Sequence, residues 1–289
     1  MNVKKCETTN FPGLRIRAAK PDEMKFVIGL AENEGWNPGI HDGECFYHAD
    51  TDGFFLAELN GEPVGCVSAV SYNCLFGFIG LFIVKPEHRG KCIGSSLWSV
   101  AMARLEGQVM GLDGVLDQEP YYAKHGFRPY YRNLRFKGRG GGTMPSGLLP
   151  LGDMPFEDIL AYDSTVFSQL RPGFLAGWAA QEDSSAFASV KDGCLQGYGL
   201  LRKCRSGYKV GPLFAEDISV AERIFLALRS TVPENEHLFL DVPQPNKDAV
   251  MLANKYDMSV CFETIRMYRG KAPDIELKKV FGVTTFELG

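Results

Sequence analysis

The sequence lacks any apolar run long enough to cross a bilayer as a helix, which takes about 20 residues. Its most apolar stretch, Phe76–Val84, is under half that length and holds two glycines. It also lacks a C-x-x-C pair. The eight cysteines are scattered, so neither a zinc site nor a dense disulfide framework is expected, and reduced thiols are. The five histidines sit apart, with no metal-ligand spacing, so no metal is expected. There is no basic arm or stripe. Lys and Arg number 31 against 35 Asp and Glu, a net charge of −4. Before residue 143 the two signs balance at 16 each, and the deficit falls in the second half, with 15 basic and 19 acidic residues. That distribution argues against a nucleic-acid partner. Residues 1–12 are polar, without the apolar core of a secretion signal. These absences together lead to the expectation of a soluble cytoplasmic protein with no membrane contact. Aromatics make up 12%, which excludes a disordered chain. A length of 289 residues suits two domains.

Hydrophobic patterning gives an α/β chain. A short alternating strand at residues 14–17 precedes a helical face formed by Met24, Phe26, Val27, Leu30 and Ala31. A hairpin follows about Asn60-Gly61, then a buried strand at 76–84, a loop, a helix at 95–107, a strand at 111–116, a helical turn at 120–125 and a strand at 130–137. Gly140 to Gly142, with Pro145, Gly147, Pro150, Gly152 and Pro155, mark residues 140–155 as a linker that few contacts should cross. The second half repeats the order. It has a helix at 156–167, a hairpin about Asp192-Gly193, a strand at 208–213, a helix at 218–231, a strand at 237–242, a helix at 246–256, and strands at 260–268 and 280–288. The expected division is 1–139 and 156–289, a tandem pair of mixed α/β domains.

The most specific pattern is the strand Phe76–Val84 running into Arg89-Gly90-Lys91-Cys92-Ile93-Gly94-Ser95 at a helix start. The first N–H groups of a helix have no partner within it. Together with the helix dipole they can wrap a pyrophosphate, and Arg89 and Lys91 add charge at the rim. This segment resembles the GNAT superfamily of acyl-CoA-dependent N-acyltransferases, whose loop reads Arg/Gln-x-x-Gly-x-Gly/Ala. The resemblance implies that the amides from Arg89 to Ser95 bind the pyrophosphate of acetyl-CoA as co-substrate. It also implies that the main chain of Leu81, Phe82, Ile83 and Val84 pairs with the pantetheine arm. Cys92 departs from the family's glycine, and its Cβ narrows the loop.

Pro120-Tyr121-Tyr122-Ala123-Lys124-His125-Gly126-Phe127 is similar to a second family segment. There, by resemblance, Tyr122 protonates the leaving CoA thiolate. Many family members carry a Glu on the strand before the loop, whereas residues 78–84 hold no titratable side chain. Glu34, Asp42 and Asp117 are the candidate bases, with Glu34 and Asp42 flanking the loop expected beside the acceptor. Glu34-Gly35-Trp36-Asn37-Pro38-Gly39 and the final Phe281-Gly282-Val283-Thr284-Thr285-Phe286-Glu287-Leu288-Gly289 resemble a tandem subgroup of that superfamily. Trp36 and Asn37 are the acceptor-binding candidates. In the second half, Glu216-Asp217 stand at the matching helix start, where carboxylates compete with a phosphate for the amides. No CoA is expected there. The resulting expectation is transfer of an acetyl group to a small-molecule amine by direct attack. The alternatives are a protein lysine acetyltransferase, and a CoA-binding or protein-interaction module without turnover.

Overall fold

The computed structural model describes residues 12–289. The first half runs β1 (Leu14–Ala18), α1 (Met24–Asn33), α2 (Asp42–Ala49), β2 (Phe54–Leu59), β3 (Glu62–Tyr72) and β4 (Phe76–Val84). It continues with α3 (Ile93–Arg104), β5 (Val109–Val115), α4 (Glu119–Lys124) and β6 (Arg128–Arg139). The second half runs β7 (Leu149–Pro150), α5 (Phe156–Phe167), α6 (Pro172–Ala179), β8 (Ser184–Lys191), β9 (Cys194–Lys203) and β10 (Tyr208–Ala215). It ends with α7 (Ile218–Ser230), β11 (His237–Pro243), α8 (Lys247–Lys255), β12 (Ser259–Arg269) and β13 (Val280–Gly282).

Local chemistry sets these elements. Asn60 and Gly61 both take left-handed backbone, as do Asp192 and Gly193. That is the geometry a two-residue hairpin turn requires, and it fixes β2–β3 and β8–β9. Helix α1 buries Met24, Val27, Ile28, Leu30 and Ala31, the stripe expected of one helical face. Two short helices, α2 and α6, were not legible in the sequence. They pack together with Phe46 stacked on Trp178 at 6.0 Å, and so tie the two halves to each other. The strand expected at 280–288 is shorter than its apolar pattern suggests. Pairing with β10 ends at Gly282, and beyond it the Thr285 hydroxyl accepts the N–H groups of Glu287 and Leu288, which turns the chain inward.

The thirteen strands of the described residues join one sheet, ordered β1-β2-β3-β4-β5-β12-β6-β11-β10-β9-β8-β7, with β13 beside β10. The centre is an exchange. Strand β12 of the second half lies between β5 and β6, and β6 of the first half lies between β12 and β11. The segment 140–155 is therefore well contacted, unlike the expected linker. Gly140 and Gly141 donate to the carbonyls of Glu236 and Val232, and Leu149 and Pro150 pair with β8. One apolar core holds Met24, Phe46 and Phe78 together with Phe174, Trp178 and Leu288, so it belongs to both halves. No helix among the described residues is long and apolar enough to cross a membrane.

Buried ion pairs lock the exchange. Arg266 on β12 donates through Nε and Nη2 to both oxygens of Asp113 on β5, at 2.7 and 2.6 Å. Arg135 on β6 grips Asp241 on β11 in the same way, at 2.7 Å through each nitrogen. Each pair occupies directly opposed register positions. Burial opposes ionisation of Asp241, but the charge and hydrogen bonds of Arg135 prevail and hold its carboxyl below the usual range. Removing one member of such a pair strands the other charge in the core. Arg266→Leu is expected to cost about 3–5 kcal/mol in denaturant unfolding, and the double change Asp113→Leu with Arg266→Met to recover most of that loss.

Candidate active site

Strands β4 and β5 pair in parallel from Phe76 and Val109 to Ile79 and Leu112. Beyond that point β4 continues to Val84 without β5. A bulge marks the parting. Ser68 pairs with Gly80 and Cys66 with Ile83, so Leu81 and Phe82 together oppose one residue of β3. Leu81 takes a left-handed φ of 47°, the local kink by which bulges redirect a strand. The buried Cys66 thiol donates to the Leu81 carbonyl at 3.0 Å, and burial pushes that thiol's pKa up. A cavity of about 540 Å³ opens from the parting.

Leu81 to Val84 line this cavity, as does the loop through Arg89, Gly90, Cys92, Gly94 and Ser95. Lys91 and Ile93, the other two expected loop residues, do not. Ile93 is buried in the core, and the Lys91 ammonium donates to the Glu87 carbonyl. Cys92 caps α3 with φ +61° and no side-chain hydrogen bond to the helix. It thus holds the left-handed conformation that glycine takes without strain. It is disulfide-bonded, against the expectation of reduced thiols, whereas six other cysteines are free. Among the described residues, the main-chain N–H groups of Gly90, Lys91, Ile93, Gly94 and Ser95 have no protein acceptor. Open N–H groups at a helix N-terminus are what an anion site requires. The matching start of α7 is filled, because Asp217 accepts the N–H groups of Ser219 and Val220.

Tyr122 sits on α4 with its ring against Trp98, at 5.5 Å between centroids, and lines the same cavity. A Cβ at Gly114 would lie 2.5 Å from the Tyr122 ring, so this glycine makes the room the ring occupies. The Tyr122 hydroxyl has no hydrogen bond to any described residue. Burial, then the neighbouring Tyr121, pushes its pKa up to about 12, which keeps it a proton donor through the neutral range.

Of the three carboxylates expected as bases, two are occupied and the third lies off the cavity wall. Glu34 lines the cavity but is ion-paired to Arg89, whose Nε also donates to the Val84 carbonyl. Asp42 is outside the cavity and fully buried. It accepts from Arg202 at 2.8 Å and from the Gly39 N–H at 2.8 Å. Asp117 does not line the cavity. Of the two acceptor candidates, Trp36 lines it, whereas Asn37 exchanges hydrogen bonds with the Ser206 main chain.

Part of the wall was not singled out in the sequence. Strand β12 brings Phe262 and Thr264, and the final segment brings Phe286 and Glu287. The only signal for Phe286 and Glu287 was the 281–289 string, with its single carboxylate, and nothing in the sequence marked Phe262 and Thr264. Sequence order hides this wall, because the strand exchange places second-half residues beside β5.

Two family models match the chain. One, described as the acetyltransferase (GNAT) family, covers residues 24–127; the other, an acetyltransferase (GNAT) domain, covers residues 159–282. A holothin acyltransferase from Pseudoalteromonas sp. (strain SANK 73390) is 30% identical over 276 residues, 94% of each chain. A Pyrococcus horikoshii protein described as an acetyltransferase shares the fold with a TM-score of 0.83 at 24% identity, over 97% of this chain and 98% of that one. A tandem GNAT protein from the clavulanic acid biosynthesis pathway has a TM-score of 0.62 at 13% identity, over 90% and 100%.

The packing of Gly114 on Tyr122 has a measurable consequence. Gly114→Ala must move the Tyr122 ring, and turnover is expected to fall while thermal stability changes by only a few degrees.

Proposed function

Because the chain belongs to the GNAT acyltransferase family, we propose that its first half binds acetyl-CoA and passes the acetyl group to a small-molecule primary amine. The observation that carries this reading is the set of open N–H groups from Gly90 to Ser95 beside the unpaired end of β4. The CoA pyrophosphate takes the amides. The pantetheine arm lies along Leu81 to Val84, where the missing neighbour strand leaves main-chain groups to pair with it. The thioester then reaches the inner end of the cavity.

Direct attack by an amine needs a stabilised oxyanion and a protonated leaving group. Main-chain N–H groups at the Leu81 bulge are the available oxyanion donors. Tyr122, with a free hydroxyl and a raised pKa, protonates the departing thiolate. Arg89, tied to Glu34, holds the loop after α1 against the phosphate loop and sets Trp36 in the wall. Phe262 and Phe286 make much of the inner wall apolar. A cavity of about 540 Å³ whose wall carries Phe262 and Phe286 suits a small amine better than an extended basic peptide, which would call for an acidic groove. The proposed units are residues 1–139 and 156–289, joined through 140–155, with the second half completing the acceptor side and binding no CoA of its own.

Calorimetric titration of acetyl-CoA tests the loop. Micromolar binding, about −8 kcal/mol on the standard scale, is expected, and Gly94→Asp should weaken it at least tenfold by placing a carboxylate among the phosphate amides. Undiminished binding by that variant overturns the loop assignment. Tyr122→Phe is expected to lower kcat by roughly 10²–10³ with acetyl-CoA affinity unchanged, and Tyr121→Phe to stay near the parent rate. With the Tyr122 pKa raised to about 12, the rate should show no alkaline loss from this group until pH nears that value.

A further inference from the structure

Neither first-half carboxylate at the cavity is free to take a proton from the attacking amine, since Glu34 is paired to Arg89 and Asp113 to Arg266, yet an alkylamine arrives at neutral pH mostly as ammonium. The second half does offer one. Glu287 is 4% exposed and lines the same cavity as Tyr122 and the Leu81 bulge. Its side chain makes no hydrogen bond or ion pair with any described residue. A buried carboxylate without a partner is costly, so the protein must hold it in place for a reason and by definite means.

Both are visible. The segment carrying Glu287 is anchored at several points. Arg171 donates to the Thr284 hydroxyl at 2.9 Å, the Thr285 hydroxyl accepts from the Glu287 and Leu288 N–H groups, and Tyr72 donates to the Leu288 carbonyl at 2.9 Å. The Glu287 carbonyl packs directly on Gly80, where a Cβ would collide with it. Glu287 is thereby set against β4 beside the bulge.

Charge accounts for its burial. Arg135, Arg202 and Lys209 all feel the Glu287 charge. Arg135 is bound to Asp241 and Arg202 to Asp42. Lys209 has only the Trp36 carbonyl, at 3.4 Å. Three cations against two bonded carboxylates leave one positive charge, which Glu287 offsets from a distance. The other ion pair at the cavity, Asp113 with Arg266, is closed on itself.

We propose that Glu287 is the proton acceptor of the site, a base from the second half serving an acyl donor bound by the first. The proposal rests on the acyl-CoA reading given above. The ammonium gives one proton to the Glu287 carboxylate, which passes it to solvent through the cavity. The freed lone pair forms the C–N bond with the thioester carbon, and the carbonyl π pair moves onto oxygen. As that pair returns, the C–S bond breaks, and the thiolate takes the Tyr122 proton. The second proton on nitrogen restores Tyr122. The products are an amide, CoA thiol and one released proton.

The experiment compares the full-length protein with Glu287→Gln, which keeps shape and packing. Acetyl-CoA binding is measured by calorimetry, and thiol release is followed with water alone and with panels of alkylamines and arylamines. Equal acetyl-CoA affinity is expected in the two proteins, with thiol release lowered roughly 10²-fold for water and alkylamines. Arylamines are largely neutral at pH 7 and should lose far less. The variant's rate with alkylamines should climb about tenfold per pH unit as the free amine fraction grows, whereas the parent's levels off. A merely structural role would depress all acceptors alike and leave the pH profile's shape unchanged. Parent-like rates in Glu287→Gln overturn the proposal, and so does a parent protein that binds acetyl-CoA but shows no thiol release with water or any amine. Failure of the parent to bind acetyl-CoA would instead overturn the acyl-CoA reading itself.

Discussion

Three buried arginine–carboxylate pairs hold together strands and helices from opposite halves of the chain. They join Asp113 to Arg266, Arg135 to Asp241 and Asp42 to Arg202. Two of them sit at opposed positions on neighbouring strands, so a slip of one residue would turn each charge to the other face and away from its partner. Such pairs add little net stability, since removing charges from water costs about what their attraction returns. Their contribution is selection of one register for the exchanged strands β6 and β12. The shared core and the cavity both presuppose that register.

The site inherits this arrangement. The first half supplies open amides at a helix start, a bulged strand edge and a phenol. The second half supplies the wall opposite, through β12 and the inward-turned segment after β13. Its own helix start has lost the open amides to the Asp217 carboxylate. The two halves thus differ at the matching helix start, which is open in the first and filled in the second, while the second lends part of its own chain to the cavity wall.

Much of the fold was readable because its signals are local. The Asn60-Gly61 and Asp192-Gly193 turns, the stripe on α1 and the strand leading into the 89–95 loop each depend on a few consecutive residues. Helices α2 and α6 escaped because each is eight residues long and takes its order from the other. The exchange of β6 and β12 could not be read from spacing at all, since either strand would satisfy a mixed sheet within its own half. The same reason explains the site. Tyr122 and the loop stand in short motifs that carry their own geometry. Glu287 becomes visible only once the chain's last segment is seen against Gly80, while Asp42, plausible by its place in sequence, is consumed by an arginine 160 residues away.

The strand exchange also imposes an order in time. Strand β6 leaves the ribosome about a hundred residues before β11 and β12, its only neighbours in the sheet. At roughly 5–20 residues per second, it waits several seconds with both edges unpaired. The first half cannot complete its sheet during synthesis, and two growing chains could offer each other's β6 the same place. The place of β6 in the sheet is thus settled only by strands made long after it.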